Sequence, residues 1–409
     1  VVDIGIVGSG FAGAAAALFL QRAGHAITLY EAVEAPAPVG AGILLQPTGQ
    51  AVLHELGLLD TVAARAARVD ELYCRTPAGR RVFHLRYGES APGRVGFGLH
   101  RGVLFEALLG AVRGSPTDLR LGVQIVAVTP DGRLTDAAGR AHGPHQLVVV
   151  AEGAKSALRG QLFPEAWDAP YPWGALWFVA EDPEGIFSRQ LHQVVETTRR
   201  MVGFLPTGRA PDHDAPLTSM FWSLAADELA AWRAGGLERW KQEILRFEPR
   251  AEPLLAQIQA PEQVLFAAYR DVRMPRWHRD RVVVIGDAAH AMSPQLGQGS
   301  NLALMDARAL ALALHGAPDV PAALATYQRL RRAHVRFYEW ANRACTPYFQ
   351  GRSRLRGWLR DTFFPAAVAV PYVRRRMVQT MCGVEQGILR SPMALPAGPA
   401  ALLAPVNAP

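Results

Sequence analysis

The sequence predicts an α/β protein. A parallel-sheet domain, assembled from segments far apart in the chain, is joined to a smaller, mostly antiparallel sheet domain and closed by C-terminal helices. Three observations predict this. The opening stretch VVDIGIVGSGFAGAAAALFLQRAGHAITLYEA packs strand, glycine-rich turn, helix and strand into 32 residues. The same texture returns far downstream in RVVVIGDAAHAMSPQLGQGSNLALMDA. Between them, residues 164–269 turn to alternating, aromatic-rich runs.

Residues 2–7 form a short β-branched run, the pattern of a strand buried on both faces of a parallel sheet. Residues 11–23 are rich in alanine and leucine and lack proline, which predicts a helix stopped at Gly24. Residues 27–30 are a second strand, completing a Rossmann-like βαβ unit with Gly8, Gly10 and Gly13 at its strand-to-helix turn. Gly8 permits the tight turn, Gly10 lets backbone approach a pyrophosphate, and Gly13 lets the helix lie close on the sheet. Phe11 and Ala12 follow at the helix start, whose free N–H groups and positive dipole end favour phosphate. Glu31 ends the second strand 23 residues beyond Gly8, the spacing of a ribose-binding carboxylate. This stretch predicts a bound dinucleotide and leaves NAD and FAD open.

A helix is expected near residues 49–56 and a hairpin around the turn 76–80. Arg101 stands at the entrance of the helix in LHRGVLFEALLGAV. A second hairpin is expected at Asp131 and Gly132, and residues 146–151 read as another parallel-type strand. Tryptophan and phenylalanine crowd residues 164–269, where an antiparallel sheet with one or two helices is expected. Most of these rings are expected in a core and two or three against a planar ligand. Residues 281–285 are a buried strand stopped by Gly286 and Asp287. A loop with Pro294, Gly297 and Gly299 follows, then a long helix from Ser300 and Asn301. Asp287 could bond a polyol hydroxyl, which suits the ribityl chain of FAD and has no counterpart in NAD.

The expected domains are 1–76, 96–163 and 275–345 for the nucleotide and 77–95 with 164–274 for the substrate. Helices fill 346–395, and 396–409, rich in alanine and proline, are expected to be disordered. With 409 residues, half of them apolar, a large core needs neither disulfides nor metal. Cys74, Cys345 and Cys382 are odd in number and widely spaced, so a reduced, cytoplasmic setting is expected. No secretory leader and no integral membrane segment are expected. The net charge is +7, with arginine supplying nearly all the basic residues; VRRRM is the tight basic cluster, and no nucleic-acid partner is expected.

Three motifs, GSGFAG with Glu31, AEGAKSALR, and GDAAHAMSPQLGQGSNLALMDA, together resemble the para-hydroxybenzoate hydroxylase family of single-component, class A, FAD-dependent monooxygenases. The resemblance runs to about residue 390, and the last segment is similar to the terminal helices of the family's ubiquinone-pathway hydroxylases. It implies non-covalent FAD, with Gly8, Gly10 and Gly13 at the pyrophosphate and Glu31 at the adenosine ribose. Arg101 would reach the phosphate and ribityl region, Asp287 would bind the ribityl chain, and residues 294–301 would line the isoalloxazine. It also implies NADPH or NADH as a transient electron donor, and O₂ activated as a flavin C4a-hydroperoxide that hydroxylates an aromatic small molecule. No second G-x-G-x-x-G appears, in keeping with a nicotinamide cofactor that visits and leaves.

One position departs from the family pattern: Glu152 precedes Gly153 where Asp-Gly is usual. That substitution keeps a flavin oxidase or dehydrogenase without oxygen insertion as the alternative. PWGALW does not match the Trp-x-Trp-x-Ile-Pro signature of flavin halogenases, and the histidines show no metal-binding spacing. His192, His213 and Tyr269 fall in the substrate domain, but residue type alone selects none of them as a catalytic base.

Overall fold

The computed structural model describes residues 1–37, 40–387 and 390–395. The tail expected to be disordered, 396–409, lies outside the described residues. A six-stranded sheet runs in the spatial order His278–Arg279, Val282–Val284, Leu147–Val150, Asp3–Val7, Ala26–Tyr30, Asp118–Arg120. Its pairings are parallel apart from the short antiparallel edge at His278–Arg279. Strands so buried read as continuous apolar runs: Leu147, Val148, Val149 and Val150 are all fully buried. The central strand, Asp3–Val7, is thus flanked by a neighbour close in sequence and by one more than a hundred residues away.

Helix α1 (Phe11–Arg22) packs on this sheet through an almost unbroken alanine face, beside α2 (Gly299–Leu314). Alanine suits both tasks, giving high helix propensity and a small radius for close approach. Helix α3 (Val320–Cys345) follows, with Asp319 as N-cap accepting from the Ala322 N–H at 2.8 Å.

The second sheet has nine strands. Its main path is Leu265–Arg273, Trp167–Glu181, His213–Ala225, Arg200–Ala210, Arg189–Glu196, Ala67–Arg75, Gly96–His100, Gly42–Leu45, and Arg81–Arg86 pairs with Ala67–Arg75. It is antiparallel except where Arg189–Glu196 meets Ala67–Arg75. Strands Gly42–Leu45, Ala67–Arg75 and Gly96–His100 lie in segments expected to belong to the nucleotide domain, yet they bond into this second sheet. The expected hairpin at the 76–80 turn is present. Three helices, Leu229–Arg233, Leu237–Phe247 and Glu252–Leu255, accompany the aromatic region rather than one or two. Trp222, Trp232, Trp240 and Phe204 form its core. Helices α4 (Arg354–Ala369) and α5 (Pro371–Met381) close the chain against the strand Arg81–Arg86.

Candidate active site

A cavity of about 1280 Å³ runs between the two sheets. This exceeds the few hundred to about 1,000 Å³ of ordinary small-molecule pockets, so it has room for a large and a small ligand together. Gly8, Gly10, Phe11, Ala12, Glu31, Arg101, Asp287, Pro294, Gly297, Gly299 and Ser300 all line it. Gly13, Gly286 and Asn301 stand directly behind this wall.

The three opening glycines divide their work. At Gly8, φ is +101° and a Cβ would lie 2.7 Å from the Ala151 carbonyl oxygen. At Gly13 a Cβ would lie 1.9 Å from the Gly8 carbonyl oxygen, so only glycine lets α1 approach the turn. At Gly10 a Cβ would meet nothing within 4 Å. Gly10 is the N-cap of α1 and offers no side-chain cap, so the first N–H groups of the helix are left for something in the cavity. The start of α2, at Gly299, likewise has no side-chain cap. Two helix N-termini therefore face one space, as a long anionic ligand would require.

Around them the polar groups are fixed. The Glu31 carboxylate accepts from the Ser9 N–H at 2.9 Å, the Ser9 hydroxyl at 2.7 Å and the Val33 N–H at 3.0 Å. Arg101 lays its guanidinium over the Phe11 ring, 5.4 Å from the centroid. Asn301 spends its amide on the loop in front of it, accepting from the Gln46 N–H at 2.8 Å and donating to the Leu44 and Gly297 carbonyls.

Asp287 is exposed to the cavity at the head of the helix Asp287–His290. Its position is set from behind by a buried cluster. Asp306, with no exposed surface, accepts from the Gly286 N–H at 2.8 Å, from His290 Nε2 at 2.6 Å and from Arg331 Nε at 2.6 Å. Burial alone would raise the Asp306 carboxyl, but His290 and Arg331 hold it well below the usual carboxylate range. Burial opposes charge on His290, and the neighbouring carboxylate outweighs it, raising the imidazole. His334 is different: burial, and then Arg331, lowers it to about 3. As a neutral ring it donates from Nε2 to the Gly383 carbonyl at 2.7 Å and accepts from Arg331 at Nδ1.

The C-terminal segment is also tied to the loop that precedes α2. Gln298 donates to the Thr380 and Met381 carbonyls at 3.2 and 3.1 Å. The expected site residues did not include this cluster. Arg331 and His334 lie outside the quoted motifs, three residues apart on α3, and helical spacing was the available signal.

Glu152 lines the cavity and accepts from the Ser156 hydroxyl at 2.7 Å and the Leu158 N–H at 3.3 Å. Its longer side chain reaches the N-terminus of the helix Ala157–Leu162, where a carboxylate is favoured. Arg159, buried on that helix, donates to the Ala288 carbonyl at 2.9 Å, to Ala154 at 3.1 Å, and pairs with Asp168. It fastens the second motif to the third.

The far end of the cavity is one face of the nine-stranded sheet. Alternate residues line it: Ala175 and Trp177, Leu191 and Gln193, Phe221 and Ser223, Ala267 and Tyr269. Gly203 pairs with Phe221 across the strands, and a Cβ there would lie 2.0 Å from the Phe221 ring. The glycine thus lets that ring lie flat on the sheet. Trp177 Nε1 donates to the Tyr269 hydroxyl at 3.1 Å. Burial pushes that hydroxyl up to about 12 against this bond, so it is a neutral donor at ordinary pH. His192 is outside the cavity, stacked on Tyr73 and 2.7 Å from Glu248, and His213 is at the surface beside Glu181. Of the three base candidates only Tyr269 reaches the cavity. Among the described residues no cluster of three metal-ligating side chains occurs, and no helix is long and apolar enough to cross a membrane.

The chain matches the FAD binding domain family over residues 1–339. It is 31% identical over 398 residues to the 3-amino-4-hydroxybenzoate 2-monooxygenase PtnB3 of Streptomyces platensis, covering 89% of this chain and 92% of that protein. It is 29% identical to the aurachin C monooxygenase/isomerase of Stigmatella aurantiaca, covering 80% and 84%. Its fold matches a variant of Klebsiella pneumoniae HpxO complexed with FAD, with a TM-score of 0.80 at 20% identity over 95% of this chain and 100% of that one. With two bare helix ends, the packed glycines and the exposed aspartate converging on one cavity, this chain belongs to the FAD-dependent monooxygenases of the para-hydroxybenzoate hydroxylase type.

Proposed function

We propose that this protein inserts one oxygen atom from O₂ into an electron-rich aromatic small molecule, with NADPH or NADH as the electron donor. The observation that carries the reading is the continuity of the cavity. A glycine-lined nucleotide end and an aromatic sheet face open into the same space. Bound FAD would supply the redox chemistry and the activation of oxygen.

The chain's own residues would do the rest. The N-terminus of α1 and Gly10 would take the pyrophosphate, Glu31 the adenosine ribose, and Asp287 the ribityl hydroxyls. The uncapped start of α2 would stabilise negative charge on the reduced ring system. Trp177, Phe221 and the sheet face would orient a flat substrate and exclude water. Tyr269 would keep its proton and donate a hydrogen bond to a substrate oxygen. Glu152, engaged with Ser156 and the short helix behind it, keeps its carboxylate anchored despite the extra methylene. A reducing, cytoplasmic setting suits the three free cysteines.

The relatives' names span an aminohydroxybenzoate and aurachin C, and a phenolic or heteroaromatic ring is the class proposed here. The test is product mass under ¹⁸O₂ with a panel of phenols and quinolines. A gain of two mass units over the unlabelled reaction supports the proposal. Unlabelled product with stoichiometric hydrogen peroxide would instead establish the oxidase alternative.

A further inference from the structure

The cavity has a third wall that neither the nucleotide nor a flat ring accounts for. On α3, Phe337, Trp340, Ala341 and Ala344 line it at spacings of three, four and seven residues, one continuous helix stripe. Phe364 and Ala367 of α4 and Tyr372 of α5 line the same cavity. Trp340 is 54% exposed and Tyr372 58%, so this part of the cavity reaches the protein surface. Ala341, Ala344 and Ala367 contribute only small side chains to this apolar corridor.

The charge pattern narrows what can lie there. The nearest cation on this wall is Arg376, and its guanidinium is engaged. It sits 2.6 Å from the buried Glu385 carboxylate and donates to the Gly387 carbonyl at 2.5 Å. An arginine held this way leaves no free positive charge for a substrate carboxylate, and the other corridor residues named are apolar or, for Tyr372, hydroxylated at the mouth. From Phe337 to Ala344 the stripe runs about 10 Å along the helix, the reach of a medium-length alkyl chain.

We propose that this corridor takes the aliphatic tail of the substrate, so that the substrate class is an uncharged aromatic head carrying an alkyl chain. The proposal rests on the functional reading above for the placement of the head on the sheet face. The tail would lie between α3 and α4 with its end at Trp340 and Tyr372.

The test is calorimetric titration of the FAD-loaded protein with 4-propyl-, 4-pentyl- and 4-heptylphenol, without electron donor. Burial of each added methylene should tighten binding about threefold, on the order of fifty- to a hundredfold from propyl to heptyl. Ala341→Trp on α3 and Ala367→Trp on α4 should each cut the heptyl-to-propyl ratio at least tenfold. A flat series in the unmodified protein, or a steep series that both FAD-retaining variants leave steep, would overturn the proposal. Amide hydrogen exchange gives a measurement that needs no variant. Heptylphenol should protect residues 337–344 and 364–372 where propylphenol does not, and protection confined to other segments would also overturn it. Steep binding without oxygen transfer would break the functional reading and leave the corridor standing. Labelled product with chain-length-independent binding would do the reverse.

Discussion

At the nucleotide end of the cavity the wall is largely backbone: glycine carbonyls, two uncapped helix starts and a loop clamped by Asn301. At the sheet end the wall is side chains, with Trp177, Phe221 and Tyr269 standing on alternate positions of long strands. At Gly8 and Gly13 the first wall admits no other residue, because the absence of a Cβ is what shapes it there. The second can exchange one ring for another without moving a strand. On the proposed reading, such a scaffold would hold its cofactor by backbone geometry and select its substrate by side-chain composition.

The comparison is broken most severely by Asp306→Asn, which acts through neither wall directly. It removes a buried charge that His290 and Arg331 need, and should cost about 3–5 kcal/mol of stability, read by denaturant unfolding. The pH dependence gives its sign. The lowered Asp306 carboxyl contributes stability above roughly pH 4, lost as the pH falls below that. The raised His290 contributes below roughly pH 6.5, lost as the pH rises through its folded value. The gap between wild type and variant should therefore be widest between these limits and narrow on either side. FAD affinity should fall with it, since Gly286 and Asp287 lose their anchor.

Glu31→Ala sharpens the contrast by striking the nucleotide end alone. Each lost charged hydrogen bond is worth roughly 1.5–3 kcal/mol, so FAD should bind on the order of ten- to a hundred-and-fiftyfold more weakly per bond. Equilibrium dialysis measures this, and unchanged affinity would remove Glu31 from the site.

A matched glycine pair separates shape from contact. Gly13→Ala must push the Gly8 carbonyl aside and should cost about 1–3 kcal/mol even without FAD. Gly10→Ala adds its methyl to open space, so its unfolding midpoint should shift less and its defect should appear in the FAD titration. Equal loss of apo-protein stability in both would contradict the division of labour among the glycines.

The smallest effect is expected at the sheet end. Tyr269→Phe should leave FAD content unchanged and weaken turnover by about 0.5–1.5 kcal/mol, the worth of one neutral hydrogen bond. With its hydroxyl pushed up to about 12, Tyr269 should add no inflection to the rate profile below about pH 10. Above that, the folded state keeps a proton the unfolded chain loses, so wild-type stability should fall with rising pH more steeply than the variant's, which retains the other buried tyrosines.

The same contrast explains what the sequence disclosed. Gly8, Gly13 and Gly286 were legible because a positive φ or a close backbone approach admits little else, and each motif fixes its own spacing. The parallel strands were legible as apolar runs. The sheet face was not. Trp177 lines the cavity and its neighbour Phe178 packs on the core, yet both are simply aromatic positions in an alternating strand. Gly203 carries no motif, and its role appears only once strand pairing sets it under Phe221. Strand membership of Gly42–Leu45 and Gly96–His100 was likewise hidden, because which sheet a short strand joins is decided by long-range pairing. The Asp306 cluster draws on three helices and a C-terminal carbonyl, and local pattern carries no trace of such a meeting.

The order in which the six-stranded sheet is stitched has a consequence for how the protein comes into being. Its central strand, Asp3–Val7, is made well before its partners, since one neighbour begins at Leu147 and the next strand out at Val282. At about 5–20 residues per second, a ribosome delivers those strands on the order of tens of seconds after the first. The Gly383 carbonyl that closes the His334 ring's hydrogen bond emerges later still. The strand before the glycine turn must therefore wait, unpaired on one side, until Leu147–Val150 have been made. A nascent chain that ended before Leu147 would carry the glycine fingerprint on a strand with one edge still bare.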